Sequence, residues 1–175
     1  MVRSGLYPEL PERAGFFAVA LGGSGDRHPE AMRFLSEMVE SYEDPVLREV
    51  AAVNLGRIGG AEDLSALATP YFAEPPRTEA EGRIAGGIVT GLYNAATKDR
   101  AAAEATVPIY ERVLREWDGG PWEDEVRQEA LRHLRYLRFP ELEGALRALS
   151  EDTAFPATAR EAQRALTALL NRDED

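Results

Sequence analysis

The 175-residue chain contains no cysteine. Disulfides, thiol nucleophiles and thiolate-held metals are therefore outside its chemistry, although this alone does not fix a compartment. Histidine is nearly as scarce. His28 precedes Pro29 and His133 precedes Leu134, and these are the only two. Two isolated imidazoles so far apart make a poor ligand set for a catalytic metal, and both read as turn or helix-surface residues. Basic segments are missing too: acids outnumber bases nine to six in residues 1–60, ten to six in 61–120 and twelve to eight in 121–175, for a net charge of −11. With no third of the chain positive, nothing pulls it toward phosphate backbones or anionic lipid. Nucleic acid is not the expected partner, and a basic, amine-rich or neutral one is easier to accommodate. Long apolar runs are also absent. The least polar stretch, Ile84 to Ala96, is too short and too rich in glycine to span a bilayer. The N-terminal Arg3, Pro8, Glu9, Pro11, Glu12 and Arg13 do not resemble a signal peptide. The expectation is a cytoplasmic protein without a membrane partner.

The apolar residues that are present follow a helical rhythm. Ala31, Phe34, Leu35, Met38, Val39 and Tyr42 recur at three- and four-residue steps, as do Leu47, Val50, Ala51, Leu55 and Ile58. Similar stripes run through Val107–Trp117, Leu131–Leu137, Leu142–Leu149 and Phe155–Leu170. No segment alternates as a strand would. Turn signals separate the stripes: Gly22 to Asp26, with Asp26 as a helix cap before Pro29; Asp44-Pro45; Gly59-Gly60; Pro75-Pro76; Gly119-Gly120-Pro121; Phe139-Pro140; and Phe155-Pro156. Short helices joined by short turns are the pattern of stacked helical hairpins.

An internal repeat supports that architecture. Residues 44–64 read DPVLREVAAVNLGRIGGAEDL and residues 124–142 read DEVRQEALRHLRYLRFPEL. Arg48, Ala51 and Leu55 correspond to Arg127, Ala130 and Leu134. Leu21-Gly22 lies 34 residues before Leu55-Gly56, and Leu166 lies 32 after Leu134. The DxxVRxxAxxxLGxIG pattern resembles HEAT repeats, in particular the short phycobilisome-lyase-type HEAT-like units, and residues 44–60 match it best. The resemblance implies an all-α fold, an alpha-alpha superhelix of about five helical hairpins, the last one a single helix. The approximate units are 8–42, 43–75, 76–119, 120–151 and 152–175. Tetratricopeptide repeats have a similar period but a different aromatic and proline signature, and a compact non-repeating helical bundle stays open. In such an array Ala51 and Ala130 are small where helices cross, Leu55 and Leu134 fill the seam, and Arg48 and Arg127 face the preceding unit's acidic turn in an Arg–Asp ladder.

Three activities known among HEAT-like proteins find little support in these residues. Di-iron hydroxylases use His-Glu steps, and this chain has none. Nucleic-acid repair enzymes need a strongly basic face; here Arg132, Arg135 and Arg138 form a period-three row, but Glu125 and Glu129 share that segment, and Glu129 is spaced to pair with Arg132. A bilin lyase-like or other cofactor-handling role rests on kinship of fold alone. No catalytic residue, metal ligand or cofactor is assigned. The expected function is a non-catalytic protein-protein interaction scaffold that binds another protein through its concave face, lined by the second helix of each unit, or through its inter-unit loops. A HEAT-like enzyme or cofactor-handling protein is the alternative.

The candidate partner-binding residues are Arg132, Arg135, Arg138, Trp117 and Trp122. The two tryptophans flank a glycine turn, WDGGPW, where loops often present binding groups. Against that, Trp117 closes the stripe of Tyr110, Val113 and Leu114, and Trp122 is placed to staple the next helix start. Gly82, Gly86, Gly87 and Gly91 lie together in one helical segment. Each costs about 1 kcal/mol relative to alanine, which the close approach of another helix would offset. That neighbour is either within the chain or a second copy, so a homo-oligomer through the Gly82–Gly91 helix or the C-terminal helix is a further expectation.

Overall fold

Proline sits at or next to the first position of most helices, where its missing N–H is no loss. The computed structural model describes residues 11–24, 28–98, 103–115 and 120–171, and for residues 11–16, 24, 61 and 62 the backbone alone. The helices are α1 (Pro11–Ser24), α2 (Pro29–Ser41), α3 (Pro45–Ile58), α4 (Ala61–Tyr71), α5 (Glu79–Ala96), α6 (Val107–Arg115), α7 (Pro121–Leu137), α8 (Glu143–Ser150) and α9 (Pro156–Leu170), with a 3-10 turn at Pro140–Leu142. Among the described residues there is no strand, and the fold is all-α. Trp117, Asp26 and the C-terminal acids 173–175 lie outside the described residues.

Local capping sets the starts. The Asp44 carboxylate accepts from the Val46 amide at 2.8 Å, ahead of Pro45. Thr78 and Glu81 exchange side-chain-to-backbone bonds at the start of α5, at 3.2 and 3.0 Å. The cap of α2 is His28, without a side-chain bond.

The helices pack in chain order. α1 packs on α3, α3 on α5, α5 on α7 and α7 on α9. The even-numbered helices back this row, α2 on α3, α4 on α5, α6 on α7 and α8 on α9, and α4, α6 and α8 also touch in sequence. A continuous core runs along the seam. Leu55 and Leu134 are 1% exposed, and Ala51 and Ala130 are fully buried.

The α3–α5 crossing is the closest. A Cβ on Gly56 would overlap the Gly91 carbonyl oxygen, one on Gly91 would stand 2.5 Å from the Ala52 oxygen, and one on Gly87 would stand 2.9 Å from Glu49 Cα. Gly87 and Gly91, four residues apart, therefore share the face of α5 turned to α3. The expected close neighbour is internal, and α3 already occupies the surface through which a second copy would have used these two glycines. Lys98, the only lysine, holds the far end of the crossing. Its ammonium donates to the carbonyls of Gly56, at 3.1 Å, and Arg57 at the C-terminus of α3.

The repeat arginines each reach a backbone carbonyl of the helix before their own. Arg48 Nε donates to the Val39 carbonyl at 2.6 Å, and its Nη2 donates to the Tyr71 hydroxyl at 2.7 Å. The Tyr71 hydroxyl donates to the same carbonyl at 2.9 Å. Arg127 Nε donates to the Val113 carbonyl at 3.2 Å. Both acceptors lie in the last turn of the preceding helix, where carbonyls lack intrahelical partners and the helix dipole favours a cation. For Arg48, therefore, a helix end and a tyrosine hydroxyl, rather than an acidic turn, receive the guanidinium among the described residues; the turn ahead of Arg127, residues 116–119, lies outside the described residues. Among the described residues, the acids near the buried Arg127 are Asp124, Glu123 and Asp152, from its own helix and the turn after α8.

Replacing Gly56 by alanine forces α3 and α5 apart. Gly56→Ala is expected to destabilise the fold by about 1–3 kcal/mol, measured as a lowered midpoint in urea unfolding. An unchanged midpoint would contradict this packing.

Candidate functional site

Where α5 lies between α3 and α7, its outer edge is left uncovered and forms the floor of an open groove of about 600 Å³. Gly82, Gly86 and Thr90, spaced by four, line the floor. The eight steps from Gly82 to Thr90 rise about 12 Å along the helix. Glu49 of α3 and Glu79 and Arg83 of α5 form one side; Trp122, Glu125, Gln128, Glu129 and Arg132 of α7 form the other.

The four glycines of α5 thus divide into two pairs. Gly87 and Gly91 meet α3, whereas Gly82 and Gly86 turn to the groove. A Cβ on Gly82 would stand 3.0 Å from Trp122 Cβ, so the indole packs across the interhelical gap onto α5. Trp122 is the second residue of α7 and half-buried. It lines the groove rather than stapling its own helix start. Gly86 has nothing within 4 Å of where its Cβ would be.

Ion pairs organise the groove walls. Arg83 reaches Glu49 of the neighbouring helix at 3.1 Å and Glu79 of its own at 3.6 Å, and these carboxylates raise its pKa. Arg132 pairs with Glu129, the partner its spacing predicts. Glu129 also accepts from His133 Nε2 at 3.2 Å. The hydrogen bond from His133, with the nearby charges of His133 and Arg132, outweighs burial and holds the Glu129 carboxyl below its ordinary value.

The arginine row does not act as one surface. Steps of three residues drift about 60° around a helix of 3.6 residues per turn. Arg132 reaches the groove, whereas Arg135 is half-buried outside its lining. Arg138 is the left-handed residue that ends α7, with φ 52° and ψ 58°, and its amide donates to the Leu134 carbonyl at 3.0 Å. The lining helices α3, α5 and α7 are the first helices of their units as delimited by sequence, not the second. A periodic pattern carries a spacing but no phase, so it does not say which helix of a pair faces outward.

His133 also departs from expectation. It is buried, because α5 and α9 cover α7 from two sides. Its ring stacks on Tyr93 with centroids 4.5 Å apart and planes 9° from parallel. Nδ1 of His133 and the hydroxyl of the fully buried Tyr110 find no hydrogen-bond partner among the described residues. Burial, with smaller contributions from Tyr93 and Glu129, pushes the Tyr110 pKa up and keeps the phenol neutral. Among the described residues no three metal-ligating side chains converge, and no helix is long and apolar enough to cross a membrane.

Two measurements check this geometry. A carboxyl with a lowered folded pKa adds stability above the ordinary value of 4.5, which is lost as pH falls through the lowered one. Glu129→Gln is therefore expected to destabilise at neutral pH, by no more than about 1 kcal/mol for a partly exposed group screened by solvent, with wild type and variant converging in acid. A pH-independent difference would contradict the assignment. Tyr110→Phe removes a buried, unpartnered hydroxyl and is expected to stabilise the fold by about 1 kcal/mol; a loss of that size in thermal unfolding would mean the hydroxyl is bonded. Scans against protein-family models and searches of curated proteins and of solved structures find no match.

Proposed function

We propose that the chain is a HEAT-like α-solenoid and a non-catalytic scaffold that holds another protein along the groove between α3, α5 and α7. The observation that carries this reading is the groove itself, an open channel walled by three successive helices of one row. Lateral contacts one repeat apart support the solenoid: Glu49 with Arg83 and Asp124 with Thr158, each 34 residues apart, and Gly56 with Gly91, 35 apart. The matching bonds of Arg48 and Arg127 to the preceding helix end support it further. In a solenoid each unit repeats its neighbour's orientation, so equivalent helix edges line up into an extended binding surface.

A photo-crosslinking side chain at Gln128, inside the groove, is expected to capture a discrete protein adduct in cells. The same group at Arg147, exposed on α8, is not. Absence of a groove-specific adduct, together with bound iron, a visible chromophore or turnover in the purified protein, would replace this reading with a HEAT-like enzyme or cofactor-handling protein.

A further inference from the structure

Resting on that reading, we infer that the groove takes a basic segment of the partner protein, whose main chain crosses α5 at Gly86 with a cationic side chain against Trp122 and Glu125. Three observations converge on this occupant.

Gly86 is the first. Glycine inside a helix is unfavourable, and at five other described helix glycines a close neighbour compensates. Gly87 has Glu49, Gly91 has Ala52, Gly56 has Gly91, Gly82 has Trp122 and Gly22 has Asn54. Gly86 has no such neighbour, yet it lies in the middle of α5. Gly23 is equally open, but it belongs to the last turn of α1, where glycine is at home. A bare stretch of helix backbone at the groove floor admits a second main chain at a distance that a Cβ would forbid. The floor from Gly82 to Thr90 accommodates about three to four extended residues at 3.3 Å each.

Charge is the second. Four glutamates and two arginines line the groove. Both arginines are engaged, Arg83 by Glu49 and Glu79 and Arg132 by Glu129, while Glu125 has no ion-pair partner among the described residues. An acidic segment would meet an excess of carboxylates with the cations already neutralised. A basic one meets unspent negative charge, on a chain whose net charge of −11 steers it inward.

The third is Trp122, whose ring borders the floor next to Glu125. An aromatic face beside a carboxylate suits an arginine or lysine side chain, which stacks its cation on the indole and pairs at the tip.

Selection of random dodecapeptides on the full chain, with counter-selection on a groove-filled Gly86→Trp variant, tests the proposal. Thr90→Trp serves as a second blocked variant should Gly86→Trp lose its helical circular dichroism. Enriched peptides are expected to be net basic and to bind wild type at least tenfold tighter than the blocked variant. Gly86→Ala is expected to separate stability from binding, raising the melting temperature by about 1–4 °C while weakening the peptide at least fivefold. Glu125→Gln should weaken it severalfold and flatten its salt dependence. Groove-dependent peptides that are acidic or uncharged would overturn the basic occupant and leave the scaffold reading standing. Basic peptides that bind wild type, Gly86→Ala and the blocked variant alike, as spermidine run in parallel would if only surface charge mattered, would overturn the crossing at Gly86. Selection that yields no groove-dependent peptide would remove both readings.

Discussion

The contact between the backbones of α3 and α5 governs the rest of this structure. Helices usually stand 8–10 Å apart because side chains separate them. Here Gly56 meets the Gly91 carbonyl, and Gly87 meets Glu49 at its Cα, so the spacer is missing. The close crossing brings Arg83 within an ion pair of Glu49 and the Lys98 ammonium onto the end of α3. It also commits one face of α5. The opposite edge, carrying Gly82, Gly86 and Thr90, is left to α7 and solvent, and the groove exists because α7 covers only part of it.

Polar groups buried between helices follow the same economy. Arg48 and Arg127 each close an open helix end, which satisfies a carbonyl and places a cation at the negative pole of a dipole. Such a bond also ties each of these helices to its predecessor. Around α7 this order is less complete. His133 and Tyr110 each keep a buried polar atom without a partner among the described residues, directly behind Glu129 on the groove wall.

The groove is consequently a surface with a mixed character. Its cations are consumed by pairs within and between helices, its floor is bare backbone, and its single large aromatic is anchored by its own Cβ against Gly82. It presents an open shape and an excess of glutamates over arginines.

Much of this was legible in the residues. The spacing of apolar side chains determined that the chain is helical, because a helix burying one face repeats every 3.6 residues whatever it packs on. Prolines and caps placed the starts of α3, α7 and α9 to within a residue or two, since those signals act locally. The glycine cluster of α5 announced a close neighbour, because helix-interior glycine is unfavourable without one. The tertiary structure alone decided which glycines met it, for that depends on where α3 crosses. It also decided that Trp122 reaches across to Gly82, that the row Arg132, Arg135 and Arg138 separates around its helix, and that His133 is covered from two sides. It turned Arg48 and Arg127 toward carbonyls, which every residue carries and no pattern of side chains reveals. Local propensity and periodicity are properties of short segments and can be read in one dimension. The groove is a relation among residues 49, 86 and 122, and only the packing of three helices brings them together.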